Sequence, residues 1–247
     1  MKHILLIVLS FLIFGSGCAT SYNIHVTQND NPNNESVVIL VHGLRASSSA
    51  FDRLEKALLK EGYDVIKVEY PSMENRIELL ADSVLSKVWQ QLDSLHYDST
   101  HIVAHSMGAI LVRYYLQHHP AEQLGRVVML SPPNQGSALV DRFENMACFR
   151  WLNGPSGMQL GTDETDFVNQ LENPDYPVGI IAGTQTINPV ASLFIPGKDD
   201  GRVAIQHTKI KGMTDFCTVK TNHHWITRNK SVIKHVLTFL RKGEFAS

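Results

Sequence analysis

Residues 100–108 read Thr-His-Ile-Val-Ala-His-Ser-Met-Gly. Four β-prone positions, His101 to Ala104, run towards Ser106, which has Ala104 two residues before it and Gly108 two after. A helical pattern follows at once over Met107 to His118 and stops near Pro120. A strand that ends, turns sharply and starts a helix holds a hydroxyl at its tip, the layout of a nucleophile elbow. The turn is so tight that bulky flanking side chains would meet the backbone, which accounts for Ala104 and Gly108. Ser106 is therefore the candidate nucleophile. Ala104 departs from the strict Gly-x-Ser-x-Gly pattern, but as the smallest replacement it meets the same steric condition. Ordinary strand-to-helix turns carry such runs too, so the meaning of this one rests on its context.

The context is an alternation of strands and helices. Val37-Val38-Ile39-Leu40-Val41 is a continuous β-branched run, as expected of a strand buried on both faces of a parallel sheet. Phe51 to Glu61 reads as a helix closed by Gly62, and Tyr63 to Val68 as the next strand. Asn75 to Leu95 is a long helix, with Ile77, Leu80, Val84, Val88, Leu92 and Leu95 stepping by three or four. Val127–Leu130, Val178–Ala182 and Cys217–Lys220 read as strands, and Ser231–Leu240 as a final amphipathic helix. The polar segment Tyr22 to Ser36 reads as a tether or an irregular first strand. The fold class is α/β, a mainly parallel sheet with helices on both faces. Its strand C-termini then share one edge, where sites form. The stretch 137–177 breaks the rhythm: Phe143, Met146, Phe149, Trp151, Leu152 and Met158 follow no strand period. It is expected to be an insertion over the edge that carries Ser106, either a helical excursion or a cap shaping an acyl pocket.

A serine hydroxyl needs a base to take its proton, and the base needs an orienting carboxylate. Asp199 and Asp200 follow the 178–182 strand within Gly197-Lys198-Asp199-Asp200-Gly201-Arg202-Val203. His223 and His224 fall between the last strand and the last helix, followed by Trp225-Ile226. His-Gly at 42–43 closes the first buried strand, and Ser131-Pro132-Pro133-Asn134-Gln135-Gly136-Ser137 follows the strand after the elbow.

In this order the motifs resemble the α/β-hydrolase superfamily, and its lipase- and esterase-like members in particular, over about residues 36–242. The resemblance implies the order Ser, acid, His. It favours Asp200, which directly precedes the Gly of an Asp-Gly-x-Val turn, with Asp199 as the alternative. It favours His223 as base over His224, and backbone amides of Leu44 and Met107 as oxyanion donors. The Pro-x-x-Gly-Ser run at 133–137 is similar to one in lipase-like members. His105 adjoins Ser106, but its side chain is expected to point away from the hydroxyl. His118 and His119 end a helix, where solvation is the expected role, and a metal site has no support.

The N-terminus is read apart from the fold. Met1-Lys2-His3 is a short basic start, Ile4 to Phe14 an almost unbroken apolar run, and Gly15-Ser16-Gly17-Cys18-Ala19 supplies small residues around a cysteine. Residues 1–18 have the length and layout of a signal peptide and are short for a membrane span. They resemble a bacterial lipoprotein signal, departing from it at Gly15 where Leu is usual. That resemblance implies lipidation at Cys18 and a cell-envelope location, with Ala19 pointing to the outer membrane; a plain secreted protein or an uncleaved N-terminal anchor is the alternative. Residues 19–35 are then a tether and 36–247 a single domain of ordinary size. Lys+Arg 22 against Asp+Glu 24 is nearly balanced, without a basic run, so nothing argues for nucleic-acid binding. Cys148 and Cys217 are left to pair or to stay as thiols.

The expectation is a monomeric serine hydrolase of carboxylic esters, small-molecule or lipid, that needs no cofactor. An acyltransferase would use the same residues. A lipoprotein that keeps the fold only to bind, or a peptidase, would share the architecture.

Overall fold

The structure is a computed structural model that describes residues 22–31, 34–95, 97–119 and 121–246. The expected signal peptide, Cys18, residues 19–21 of the expected tether and Pro120 lie outside the described residues. Seven strands are described: β1 (Asn23–Thr27), β2 (Ser36–Val41), β3 (Asp64–Glu69), β4 (Ser99–His105), β5 (Leu124–Leu130), β6 (Val178–Gly183) and β7 (Asp215–Val219). They form one sheet in the order β1-β3-β2-β4-β5-β6-β7. All neighbours are parallel except β1, which pairs antiparallel with β3 from Asn23↔Glu69 to Thr27↔Val65.

The continuous apolar run in β2 is buried because both faces are covered. Val37, Ile39 and Val41 join a core with α2 (Ile77–Leu95) and α3 (Met107–His118). Val38 and Leu40 join the opposite core with α1 (Asp52–Lys60) and α9 (Lys230–Lys242). Side chains alternate across a strand, so one β-branched run feeds both layers. On α9, Val232, Val236, Phe239 and Leu240 face the sheet. Asn229 caps that helix by accepting from the amides of Ser231 and Val232, and Gly243 closes it in the left-handed region at φ 80°.

Part of the segment expected as a tether is thus a strand. β1 is an edge strand with no fully buried residue, so its sequence lacks a strong apolar period. It is tied down where Asn29 donates from backbone and side chain to Asp64 Oδ1, both at 2.7 Å.

The 137–177 insertion lies between β5 and β6 and is helical: α4 (Ala138–Phe143), α5 (Ala147–Gly157) and α6 (Phe167–Gln170). Buried Arg113 of α3 holds both of its ends by donating to the carbonyls of Asn134, Leu171 and Glu172. Gln159 latches it to α2, accepting from the Ile77 amide at 2.7 Å and donating to Glu78 at 2.7 Å. Cys148 on α5 and Cys217 on β7 are both free thiols.

Candidate active site

Parallel strands all end at one edge, so loops distant in sequence meet there. Ser106 stands between β4 and α3 with φ 53° and ψ −128°. This is a conformation that a non-glycine residue adopts only when its surroundings enforce it. The enforcement is visible: the Ser106 amide donates to Leu130 O on the neighbouring strand at 2.9 Å. A Cβ at Gly108 would lie 2.4 Å from His42 O and 2.6 Å from Val41 O. Glycine is required there by close backbone approach, as the spacing of the motif suggested.

His223, in the loop after β7, reaches Ser106: its Nε2 is 2.9 Å from Ser106 Oγ, and its Nδ1 is 2.7 Å from Asp200 Oδ2. A carboxylate only accepts, so Nδ1 carries the proton, leaving bare Nε2 to accept from the serine hydroxyl. Asp200 lies in the loop after β6. Its Oδ1 accepts from the amides of Arg202 and Val203 at 3.0 and 2.9 Å, and its carbonyl accepts from the His223 amide at 2.9 Å. Burial by itself would raise the Asp200 carboxyl. The facing His223, hydrogen bonds from His223 and Ser131, and the Val203 amide outweigh burial and hold it below the ordinary carboxylate range.

The alternatives fall elsewhere. Asp199 Oδ1 accepts from the Ser192 hydroxyl and the Gly201 amide, both at 2.7 Å, and so braces the turn. His224 is exposed and packs edge-on against Trp225. His105 makes no bond to Ser106; its Nε2 lies 3.0 Å from His223 O. The carbonyl must accept, so His105 is a neutral Nε2 tautomer, and burial, then the His223 charge, push its pKa down to about 3. His118 and His119 are exposed.

The Leu44 amide follows Gly43, whose added Cβ would lie 2.9 Å from Ser106 Cβ. This close approach sets the 42–44 loop over the serine. Met107 opens α3, so its amide belongs to the donors a helix cannot satisfy internally, at the positive end of the dipole. Both expected oxyanion donors thus border Ser106.

Two further contributors, Ser131 and Tyr70, were not apparent in the sequence. Ser131, fully buried with φ 44°, helps to hold the Asp200 carboxyl low and accepts from the Gly183 amide at 3.2 Å. A serine ending a strand beside the elbow strand was its only signal. His42 stacks on Tyr70 with ring centroids 4.2 Å apart, and Tyr70 donates to the His42 carbonyl at 2.6 Å. The stack and this bond brace the 42–44 loop. The insertion contributes the wall: a Cβ on Gly157 would touch Leu44, while Trp151, Met146 and Leu152 of this region stay exposed. Phe143 packs against Phe149 and against Phe194, which follows the short helix α7 (Pro189–Ser192).

Residues 36–160 match the family model described as alpha/beta hydrolase fold. A triacylglycerol lipase of Pseudomonas fragi is 30% identical over 118 residues, which cover 46% of this chain and 40% of the lipase. The putative hydrolase YdeN of Bacillus subtilis is 31% identical over 97 residues, covering 38% of this chain and 49% of that protein. The chain thus spans less than half the length of these curated relatives. Among solved structures, the mature lipase BlEst2 of Bacillus licheniformis superposes with a TM-score of 0.65 at 21% identity. That superposition covers 87% of this chain and 94% of that one.

Proposed function

The chain belongs to the α/β-hydrolase fold family, and we propose that within it the protein is a serine hydrolase of carboxylic esters. The observation that carries this reading is the unbroken hydrogen-bonded line from Ser106 through His223 to Asp200. Ser106 Oγ attacks the acyl carbon as His223 Nε2 takes its proton. The amides of Met107 and Leu44 receive the charge that develops on the carbonyl oxygen, where fixed donors act most strongly. His223 returns the proton to the departing alcohol, and the acyl group remains on Ser106. Water, deprotonated by the same imidazole, then releases the carboxylic acid. Asp200 holds the imidazole in the tautomer that presents a bare Nε2 and stabilises its cation.

The relatives named as lipases favour an acyl ester over a peptide, and the exposed apolar residues of the insertion suit an acyl chain. The N-terminal pattern supports a lipid anchor on Cys18 and an envelope location, with a monomer facing its substrate at the membrane. Turnover of a neutral chromogenic ester by purified protein tests the assignment. Wild type should hydrolyse it with a burst of alcohol, and Ser106→Ala should not. Persistent turnover in pure Ser106→Ala would remove the serine from the mechanism.

A further inference from the structure

Two arginines, Arg45 and Arg202, border the site. Arg45 directly follows Leu44, in the left-handed region at φ 56°, with its amide donating to Ser72 Oγ at 2.9 Å. Arg202 follows the Asp200-Gly201 turn; its amide donates to Asp200, and its carbonyl accepts the Ser137 hydroxyl at 2.7 Å. The backbone of each is fixed, one on the oxyanion side of Ser106 and one on the acid side. Both side chains are exposed. Among the described residues neither guanidinium has a carboxylate within ion-pair distance. Three other cations do: Arg76 meets Glu78 at 3.1 Å, Arg241 meets Glu61 at 2.8 Å, and Lys67 meets Glu55 at 2.7 Å. Asp200 attracts Arg202, but its oxygens are taken by His223 and two amides.

The Arg202 guanidinium is held below its ordinary pKa, first by desolvation and second by the charge of Arg45. Two like charges that feel each other, each without a carboxylate at ion-pair distance, gain from an anion placed between them. The planar guanidinium fork suits the paired oxygens of a phosphate or carboxylate.

We infer that Arg45 and Arg202 bind an anionic group, phosphate or carboxylate, that the ester substrate carries close to its scissile bond. This rests on the ester-hydrolase reading and narrows it to anionic esters, such as acyl esters of a phosphorylated alcohol. The anion is held beside the oxyanion loop, so its binding places the acyl carbonyl over Ser106, a gain in orientation as well as affinity.

The test compares a short-chain diacylglycerol phosphate with the same diacylglycerol lacking the phosphate, both below micelle formation. An acyl ester bearing a carboxylate forms a third arm that separates the two anions. Wild type should favour the phosphate ester in kcat/KM by about tenfold or more. Arg45→Gln and Arg202→Gln should each bring that ratio towards one, and Arg45→Lys and Arg202→Lys should retain part of it. Arg241→Gln, far from the site, should leave the ratio as it is. Calorimetric binding of the diacylglycerol phosphate to Ser106→Ala reads recognition without turnover. Binding that persists there while no ester is hydrolysed by wild type would sink the hydrolase reading and spare the anion site. Equal wild-type rates on the charged and neutral esters, or a ratio untouched in both glutamine variants, would overturn the inference. So would a rate that follows only the charge of a carrier vesicle, whatever ester is embedded in it.

Discussion

Exchanging Asp200 for Asn tests the site at its most constrained point. The carboxylate accepts three hydrogen bonds, from His223 at Oδ2 and from the Arg202 and Val203 amides at Oδ1, and the nearby Ser131 hydroxyl also favours its charged form. An amide of the same shape has one oxygen and one NH2 group. Aimed at the 202–203 amides, the NH2 would set donors against two buried donors. Its cheaper orientation keeps the oxygen there and turns the NH2 towards His223. The imidazole must then accept at Nδ1 and carry its proton on Nε2, facing Ser106. That tautomer cannot take the serine proton. The cation formed on the way to the acyl intermediate also loses its facing charge. Together these cost about 10⁴-fold in kcat, or about 5.5 kcal/mol of barrier. The assay is kcat and kcat/KM on a neutral chromogenic ester, with urea unfolding to check that the fold persists. Asp199→Asn, which loses only a brace of the turn, should cost far less. Asp200→Asn within tenfold of wild type, or Asp199→Asn as the more damaging exchange, would refute the reasoning.

Three other outcomes follow from the same structure. Ser131→Ala removes a hydroxyl that favours the Asp200 carboxylate and strands the buried Gly183 amide; stability should fall by about 1–3 kcal/mol and kcat/KM by about tenfold. An unchanged pair of values would show that the hydroxyl supports neither. Phe239 is fully buried against Phe245 and the sheet, so Phe239→Ala should cost about 3–5 kcal/mol in denaturant unfolding while the rate of still-folded protein holds. His101 and His105 are buried neutral, with burial pushing them down to about 4 and about 3. Their folded pKa values lie below the unfolded value, so the unfolded chain takes protons first. Stability should therefore fall as pH drops below about 6.5, by up to about 1.4 kcal/mol per pH unit for each histidine. His101→Asn keeps an acceptor for the Arg126 amide, which His101 Nδ1 now receives at 2.8 Å. It should make the slope between pH 5 and 6 shallower, and an unaltered slope would count against a neutral His101.

The sheet was legible because both-face burial writes itself as unbroken β-branched runs, as in Val37–Val41. The helix over 107–118 was legible because it leaves a turn whose small residues are sterically required. Edge strand β1 was harder to read: half-buried and polar, it depends on pairing with β3 rather than on its own pattern. At the site, the motif order placed Ser106, Asp200 and His223 on loops that the fold brings within hydrogen-bond reach. Adjacent pairs such as Asp199 and Asp200 differ only in which backbone amides each faces, a property of the turn rather than of composition. Ser131, Tyr70 and the arginine pair were illegible for a related reason. A buried serine, a tyrosine and two arginines gain meaning only from neighbours tens of residues away.

The most direct test of the account is to react the folded protein with a fluorophosphonate and map the adduct by mass spectrometry. Label on Ser106, lost in Ser106→Ala and His223→Ala and kept in His224→Ala, is the predicted result. A folded wild type that takes no label, or takes it on another serine, would contradict the claim that Ser106 is an activated nucleophile.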